Sequence, residues 1–163
     1  MTTIYETPNF GIYSAEKPSV YIDRAEGGHI KIKLKRKLRD RTLLPPELAI
    51  EYTKLSMMIG QALASAMRRR GVDVELVNYQ DMGNWSVFEP EGPNMHMHIF
   101  GRATTATIQK YGDAVQLPHV ETGFYDSFEP LNDGDIAEIK ADFHKLLESE
   151  KYSRPWSENL RPE

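Results

Sequence analysis

The segment between residues 94 and 100 alternates polar and apolar side chains, and it constrains the fold more than any other part of the sequence. Successive side chains of a β-strand point to opposite faces of its sheet, so alternate residues share a face. The apolar set, which can anchor the strand in a core, is Met95, Met97 and Ile99. The polar set on the other face is Asn94, His96 and His98. Imidazole is the side chain best suited to nucleophilic attack or proton transfer near neutral pH, so this row is the leading candidate for a functional site.

The size and composition of the chain limit what it can be. A length of 163 residues predicts a single domain, which we place at residues 1–150 and follow with a tail at 151–163. The absence of cysteine excludes disulfides and thiolate metal sites and favours a reducing, cytoplasmic location. We find no apolar segment that resembles a signal peptide or a membrane span. The net charge of −4 argues against a dedicated nucleic-acid coat protein. The local cluster of cations between residues 31 and 41 is interpreted as a solvated face in preference to the alternative, an anion-attracting rim.

Local patterns predict an α+β domain. Residues 19–23 and 29–35 are predicted strands of one hairpin, joined by a turn that contains Gly27-Gly28. Pro45-Pro46 opens a long helix that stops at Gly71, and Asn132 or Asp133 caps a second helix. Between the helices lie predicted strands at 72–79 and 94–101, separated by a loop, and the stretch 103–131 is expected to hold one further strand and long loops. Helices against one face of an antiparallel sheet leave the other face, with His96 and His98, free to form a site.

Four ordered segments resemble one family, the histidine triad (HIT) superfamily of nucleotide hydrolases and transferases. They span roughly residues 18–102, about half of the chain. The segments are Gly28-His29-Ile30-Lys31-Ile32, the stretch from Lys35-Arg36-Lys37 through Leu44-Pro45-Pro46-Glu47-Leu48, Asn78-Tyr79-Gln80-Asp81 followed by Gly83, and Asn94 to Phe100. The last segment is similar to the defining motif His-x-His-x-His-x-x, in which x is apolar.

The resemblance implies a fold and an activity. The fold is an antiparallel sheet of about five strands, with a long helix and a C-terminal helix packed on one face, and relatives pair as homodimers. The activity is hydrolysis, or nucleotidyl transfer, at the α-phosphorus of a phosphoanhydride or phosphoramidate, for example a dinucleoside polyphosphate or a nucleoside phosphoramidate. A nucleotidyl-histidine forms and water releases the nucleoside monophosphate. The scheme requires no metal or other cofactor, and the expected partner is a small nucleotide substrate rather than a nucleic acid or a membrane.

The resemblance also implies roles for individual residues. His96 takes the position of the nucleophile, His98 that of a contact to the phosphate or leaving group, and His29 that of a fourth active-site histidine. Asp23 matches the residue that binds the ribose hydroxyls, and Gln80 matches a polar residue of the phosphate site. We expect a backbone carbonyl near residue 94 to fix the attacking imidazole, and protonated His98 or His29 to stabilise developing negative charge.

The sequence departs from the family pattern in three ways: at position 94, at the pair 90 and 91, and in the length of the loop 81–93. Asn94 stands where the first motif histidine is expected; asparagine can hydrogen-bond and orient its neighbours, but it cannot carry charge. Pro90 and Glu91 replace a polar Gln-Ser or Gln-Thr pair, in a loop that is about three residues longer than in compact members. Asn84, or Ser86, is a candidate to replace that pair in binding the nucleotide. The same loop adds Trp85 and Phe88, for which packing is favoured slightly over stacking on the substrate.

Two other functions fit part of the sequence. The departures at Asn94 and at the Gln-Ser pair are compatible with a catalytically impaired nucleotide-binding module. Alternatively, His96 and His98 are spaced to bind Zn²⁺ or Fe²⁺ with a third ligand from His29, Asp23 or Glu91. The metal site ranks last because it leaves the other matched segments unexplained.

Overall fold

A computed structural model describes residues 1–81 and 84–156. Five strands form a single antiparallel sheet in the order β1-β2-β3-β5-β4. Their bounds are Thr3–Glu6 for β1, Phe10–Ser14 for β2, His29–Leu34 for β3, Val74–Asp81 for β4 and His96–Ala103 for β5. The two strands that the alternating patterns predicted most clearly, β3 and β5, are neighbours in the middle of this sheet.

The helices cover one face of the sheet, as predicted. They are α1 at Pro46–Arg69, α2 at Asp133–Glu148 and a short α3 at Glu150–Ser153. Their apolar sides share a buried core with the inward side chains of β3 and β5, among them Ile30, Ile32 and Ile99, none of which is exposed to solvent. This arrangement confirms the α+β class and leaves the histidine face of the sheet away from the helices.

The helix boundaries follow from local chemistry. Pro46 occupies the first helical position of α1, where its missing N–H costs no hydrogen bond. Gly71 follows the end of α1 with a φ of +83°, which a glycine adopts without strain. Asn132 caps α2 in a reciprocal capping box with Asp135, each side chain accepting from the other's backbone N–H.

The predicted strand at residues 19–23 is wrong. The partner of β3 in the hairpin position is β2, which pairs Phe10 through Ser14 with Leu34 through Ile30. The backbone of Tyr21 instead binds side chains: its N–H donates to Nδ1 of His29, and its carbonyl accepts from Gln109. Since these side chains satisfy the polar groups of the peptide, the segment needs no neighbouring strand.

After Ala103, where β5 ends, the stretch 103–131 contains no further strand, contrary to expectation, and forms loops with a short 3-10 turn at Val120–Thr122. It folds over the histidine face, where a second apolar cluster forms. Its buried members are Val20, Tyr21, Ile22, Phe100, Tyr125 and Phe128. Two buried charges hold the loops: Glu26 accepts from the backbone N–H groups of residues 107, 108 and 109, and Arg102 donates to the carbonyls of residues 109, 110 and 113.

Two glycines allow the segment before β3 to approach the sheet closely. Gly27, with a φ of +134°, lies directly against Gly101 of β5. A Cβ on Gly27 would stand 2.2 Å from the carbonyl oxygen of Gly101, and a Cβ on Gly101 would stand 2.1 Å from that of Gly27. Glycine at both positions is therefore required by the packing.

The C-terminal part continues past the predicted boundary at residue 150. Helix α3 crosses it, Tyr152 is buried in the main core, and Trp156 packs partly against that core. No helix of the described ranges has the length and apolar character that a membrane span requires.

Candidate functional site

The candidate site is a row of three imidazoles on the face of the sheet opposite α1. In the antiparallel register, His98 of β5 lies across from Lys31 of β3, and His29 lies across from Phe100. The ring centroids of His96 and His98 are 4.7 Å apart, and those of His29 and His98 are 5.0 Å apart. The structure therefore brings together the three histidines predicted from the sequence.

Backbone groups fix which nitrogen of His29 carries the proton. The Tyr21 N–H can only donate, so Nδ1 of His29, at 3.2 Å, accepts. Neutral His29 then carries its hydrogen on Nε2, which donates to Nδ1 of His98 at 2.9 Å. His98 in turn keeps its own hydrogen on Nε2. The peptide N–H of Tyr21 thus sets the tautomer of His29, and His29 in turn sets that of His98. The hydrogen-bond donor that remains on His98 is its Nε2–H.

His96 has the opposite tautomer. Its Nδ1 lies 2.8 Å from the carbonyl oxygen of Asn94, and because a carbonyl only accepts, Nδ1 carries the hydrogen. This contact confirms the expected carbonyl near residue 94. The Nε2 atom of His96 is left with a lone pair, which is the state that a nitrogen nucleophile needs.

The whole row is uncharged near neutral pH. Burial lowers the pKa of His98 to about 2, and the neighbouring His96, Lys31 and Lys33 lower it further in the same direction. Burial also lowers the pKa of His96, and it lowers the pKa of His29 strongly despite the Ser19 carbonyl nearby. The expectation of protonated His98 or His29 is therefore wrong for the free protein, and these rings act as neutral N–H donors.

Aromatic side chains cover the inner part of the row. The ring of Tyr21 stacks at 5.2 Å on His29 and 5.4 Å on His98, which are only 1% and 2% exposed. The rings of Trp85 and Tyr21 are in edge contact, with centroids 5.6 Å apart, whereas Phe88 is 97% exposed. The predicted packing role is therefore found for Trp85 and not for Phe88. His96, at the open end of the row, is half-buried.

The other predicted site residues have structural partners. Asn94 accepts from the Leu38 N–H through Oδ1 at 3.0 Å, and both carboxylate oxygens of Asp23 accept from backbone N–H groups, those of Ala25 and Glu129. Gln80 lies across from His98, and its buried Oε1 has no partner among the residues described. Asn84 begins a 3-10 turn, but its side chain lies outside what the structure describes, as does Gly83.

Two lysines belong to this face and were not predicted as site residues. Lys31 and Lys33 alternate with the core residues of β3, so they share the face of His29. Lys31 is only 7% exposed, and its amine lies 5.3 Å from the centre of the Tyr21 ring. Burial lowers its pKa to about 8. The alternation along β3 already predicts that both lysines share a face with the histidines. They were not predicted as site residues because charged side chains on a strand usually face solvent.

A groove of about 560 Å³ lies beside the segment that precedes β5. Lys37, Leu38 and Arg39 line one side of it, and Val87 and Pro93 line the other. Because Leu38 also binds Asn94, the groove lies beside the start of β5, where His96 is half-buried.

The geometry does not favour the metal site. Across residues 1–81 and 84–156, no group of three or more histidine, aspartate or glutamate side chains is placed to hold a metal ion. His29 and His98 direct their facing nitrogens at each other, and Asp23 is bound to the backbone.

Comparison with known proteins bears on the fold alone. No protein-family model and no curated protein sequence matches the chain. Among solved structures, a histidine triad protein from Bradyrhizobium japonicum matches with a TM-score of 0.53 at 12% identity, over 89% of each chain. A hypothetical histidine triad nucleotide-binding protein from Sulfolobus tokodaii matches with a TM-score of 0.52 at 12% identity, over 95% of this chain and 91% of that one.

A zinc-bound histidine triad family protein from Mycobacterium smegmatis matches with a TM-score of 0.50 at 21% identity, over 88% of this chain and 84% of that one. At such identities the likeness concerns the path of the backbone. The sheet order, the helices on one face and the histidine row on the other all agree with the resemblance found in the sequence. The chain has the fold of the histidine triad proteins.

Proposed function

We propose that this protein is a hydrolase, or nucleotidyl transferase, that cleaves a nucleoside phosphoanhydride or phosphoramidate at the α-phosphorus. One observation carries the proposal: the Asn94 carbonyl holds the hydrogen of His96 on Nδ1, so Nε2 offers its lone pair at the open end of the row. A neutral imidazole fixed in this way is a competent nucleophile without further activation.

In the proposed first step, Nε2 of His96 attacks phosphorus, a P–N bond forms, and the bond to the leaving group breaks. The leaving group departs with the bonding electron pair and is protonated. In the second step, water attacks the same phosphorus, the P–N bond breaks, and nucleoside monophosphate leaves while His96 is restored. With an alcohol or phosphate acceptor in place of water, the same step is a transfer.

The neighbouring imidazoles position the phosphoryl oxygens in this scheme. The Nε2–H of His98 is directed away from His29 and donates to a non-bridging oxygen, where charge accumulates in the transition state. His29 acts through His98 as a positioning residue, because it fixes the tautomer of that ring. Gln80, across from His98, contributes an amide to the same phosphate, and Asn84 and Asp23 are proposed to contact the nucleotide.

The remaining proposals concern assembly and location. A homodimer is supported by the edge position of β4, on which Leu76 and Tyr79 are 48% and 45% exposed. Sedimentation of the purified protein tests it, and a purely monomeric species would contradict it. A cytoplasmic location rests on the absence of cysteine.

The test of function is a panel of adenosine and guanosine polyphosphates and phosphoramidates, assayed with and without EDTA. We expect turnover that EDTA leaves unchanged, no turnover by His96→Ala, and a transient mass increase of one nucleotidyl group on the native protein. His144→Ala is the matched control, because His144 is exposed on α2. Full activity of His96→Ala would refute the assignment.

A second candidate function is nucleotide binding without catalysis. It is favoured by the ring of Tyr21, which stacks over His29 and His98 and covers them. If nucleoside monophosphate binds but none of the panel turns over, the protein is a nucleotide-binding module rather than an enzyme. Activity that is lost with EDTA and restored by Zn²⁺ would instead support a metal site.

A further inference from the structure

Two lysines stand directly beside the proposed catalytic histidines. In the register of β3 and β5, Lys33 is paired with His96 and Lys31 with His98. Residues paired in this way have Cβ atoms roughly 4.5–5.5 Å apart and share one face of the sheet. The two amines therefore belong to the same surface as the unprotonated nitrogen of His96.

Neither amine has a counter-charge in the part of the chain that the structure describes. Other lysines do: Lys17 pairs with Glu129, Lys35 with Glu6 and Lys37 with Glu91. No hydrogen bond or ion pair joins the amine of Lys31 or Lys33 to any residue in 1–81 or 84–156; the one contact is that of Lys31 with the Tyr21 ring.

The neighbouring strands supply no acid either. On β2 the residues paired with Lys33 and Lys31 are Gly11 and Tyr13, and on β5 they are His96 and His98. The Tyr13 hydroxyl and the Lys35 amine already engage Glu6, the acid nearest along the β1–β2 hairpin. Burying the cation of Lys31 without a partner is costly, and an anion supplied from outside would offset that cost.

We propose that Lys31 and Lys33 bind a second phosphoryl group, adjacent to the one that His96 attacks. The inference rests on the proposed function, since His96 and His98 take the first phosphoryl group. The preferred substrates then carry two or more consecutive phosphates, as nucleoside polyphosphates and dinucleoside polyphosphates do. A nucleoside phosphoramidate, whose leaving group carries no phosphate, leaves the amines without a ligand.

Kinetics of two neutral variants test the proposal. Lys33→Met and Lys31→Met keep the length of the side chain and remove its charge. We expect kcat/KM for polyphosphate substrates to fall roughly 10- to 100-fold, the usual effect of losing a charge-assisted hydrogen bond, with a change of less than about threefold for a phosphoramidate. Lys35→Met is the control, because Lys35 comes directly after β3 but is exposed and paired with Glu6. Equal losses on both substrate types would overturn the proposal.

A binding experiment separates this proposal from the catalytic one. Isothermal titration with tripolyphosphate and with orthophosphate is performed on the native protein, on His96→Ala and on the two lysine variants. Tighter binding of tripolyphosphate that survives His96→Ala and is lost in the lysine variants supports the lysine site even if nothing in the panel turns over. Unchanged tripolyphosphate affinity in both lysine variants overturns it.

Folding of the variants is measured by thermal melting. Because Lys31 is buried without a counter-charge, we expect Lys31→Met to raise the Tm of the ligand-free protein and to abolish the stabilisation by tripolyphosphate. A lysine with a structural role would lower the Tm instead, and this result would count against the proposal. Lys33 is only half-buried, so Lys33→Met keeps the test available if Lys31→Met does not fold.

Discussion

The Nε2–H of His29 donates to Nδ1 of His98 over 2.9 Å, while Nδ1 of His29 accepts from the peptide of Tyr21. One ring therefore serves two functions, one for the fold and one for the tautomer of its neighbour. The two can be separated by substitution, since an asparagine amide lies near the position of Nδ1 and a glutamine amide near that of Nε2.

We expect His29→Asn to keep the contact with Tyr21 and to lose the donor to His98. Its stability should remain close to that of the native protein, while kcat falls about tenfold because the tautomer of His98 is no longer fixed. His29→Gln should show the reverse, with kcat retained and stability lowered by about 1–3 kcal/mol for the unpaired Tyr21 N–H. Activity assays measure kcat and urea denaturation measures stability. Identical behaviour of the two variants would contradict the separate roles of Nδ1 and Nε2 of His29.

A histidine at position 94 should be accepted by the fold. Its Nδ1 can take the place of the Asn94 Oδ1 that accepts from Leu38, so we expect Asn94→His to change stability by less than about 1 kcal/mol. The added N–H donor should raise the turnover rate. A lower rate in the same assay would mean that asparagine suits a different substrate.

Acid should destabilise the protein. Burial holds the pKa of His98 at about 2 in the folded state, against an ordinary value of 6.5, so between these values the unfolded chain binds a proton that the native protein does not. Stability is therefore complete above pH 6.5 and declines below it, by up to about 1.4 kcal/mol per pH unit for each such histidine. Urea denaturation between pH 5 and 7 measures the slope, and His98→Gln should reduce it. A flat profile in the native protein would show that the row is not buried in solution.

The loops that cover the histidine face should depend on Glu26. Its carboxylate accepts from three backbone N–H groups. In Glu26→Gln the side-chain amide directs its own N–H at one of these donors, so that hydrogen bond is lost. We expect a loss of about 1–3 kcal/mol and faster tryptic cleavage at Lys110. Glu129→Gln is the control, because Glu129 is exposed and pairs only with Lys17 in the structure described. Unchanged cleavage in Glu26→Gln would mean that other contacts hold the loops.

Much of the fold was predictable because its signals are local. The alternation of His29 through Leu34 and of residues 95–100, the proline start of α1 and the asparagine cap of α2 each depend on near neighbours in the chain. The same periodicity placed the three histidines on one face. Strands β1 and β2 were not predicted, although Phe10 and Ile12 of β2 alternate as strand residues do.

The errors arose where distant side chains replace a strand partner. Residues 19–23 have the composition of a strand, but His29 and Gln109 satisfy the peptide groups of Tyr21. The charge state of the row was also beyond local patterns, because it depends on how completely Tyr21 and the loops 103–131 exclude water from His98.

The contact between Gly27 and Gly101 is possible only because neither residue has a Cβ atom, and it lies next to the strands that carry the histidine row. With alanine at either position, the added Cβ would overlap the facing backbone, so the turn before His29 would be displaced from β5. Because His29 begins β3 two residues after Gly27, we expect that displacement to reduce its burial and so to raise its lowered pKa. The environment of the row thus depends partly on two residues that have no side chain.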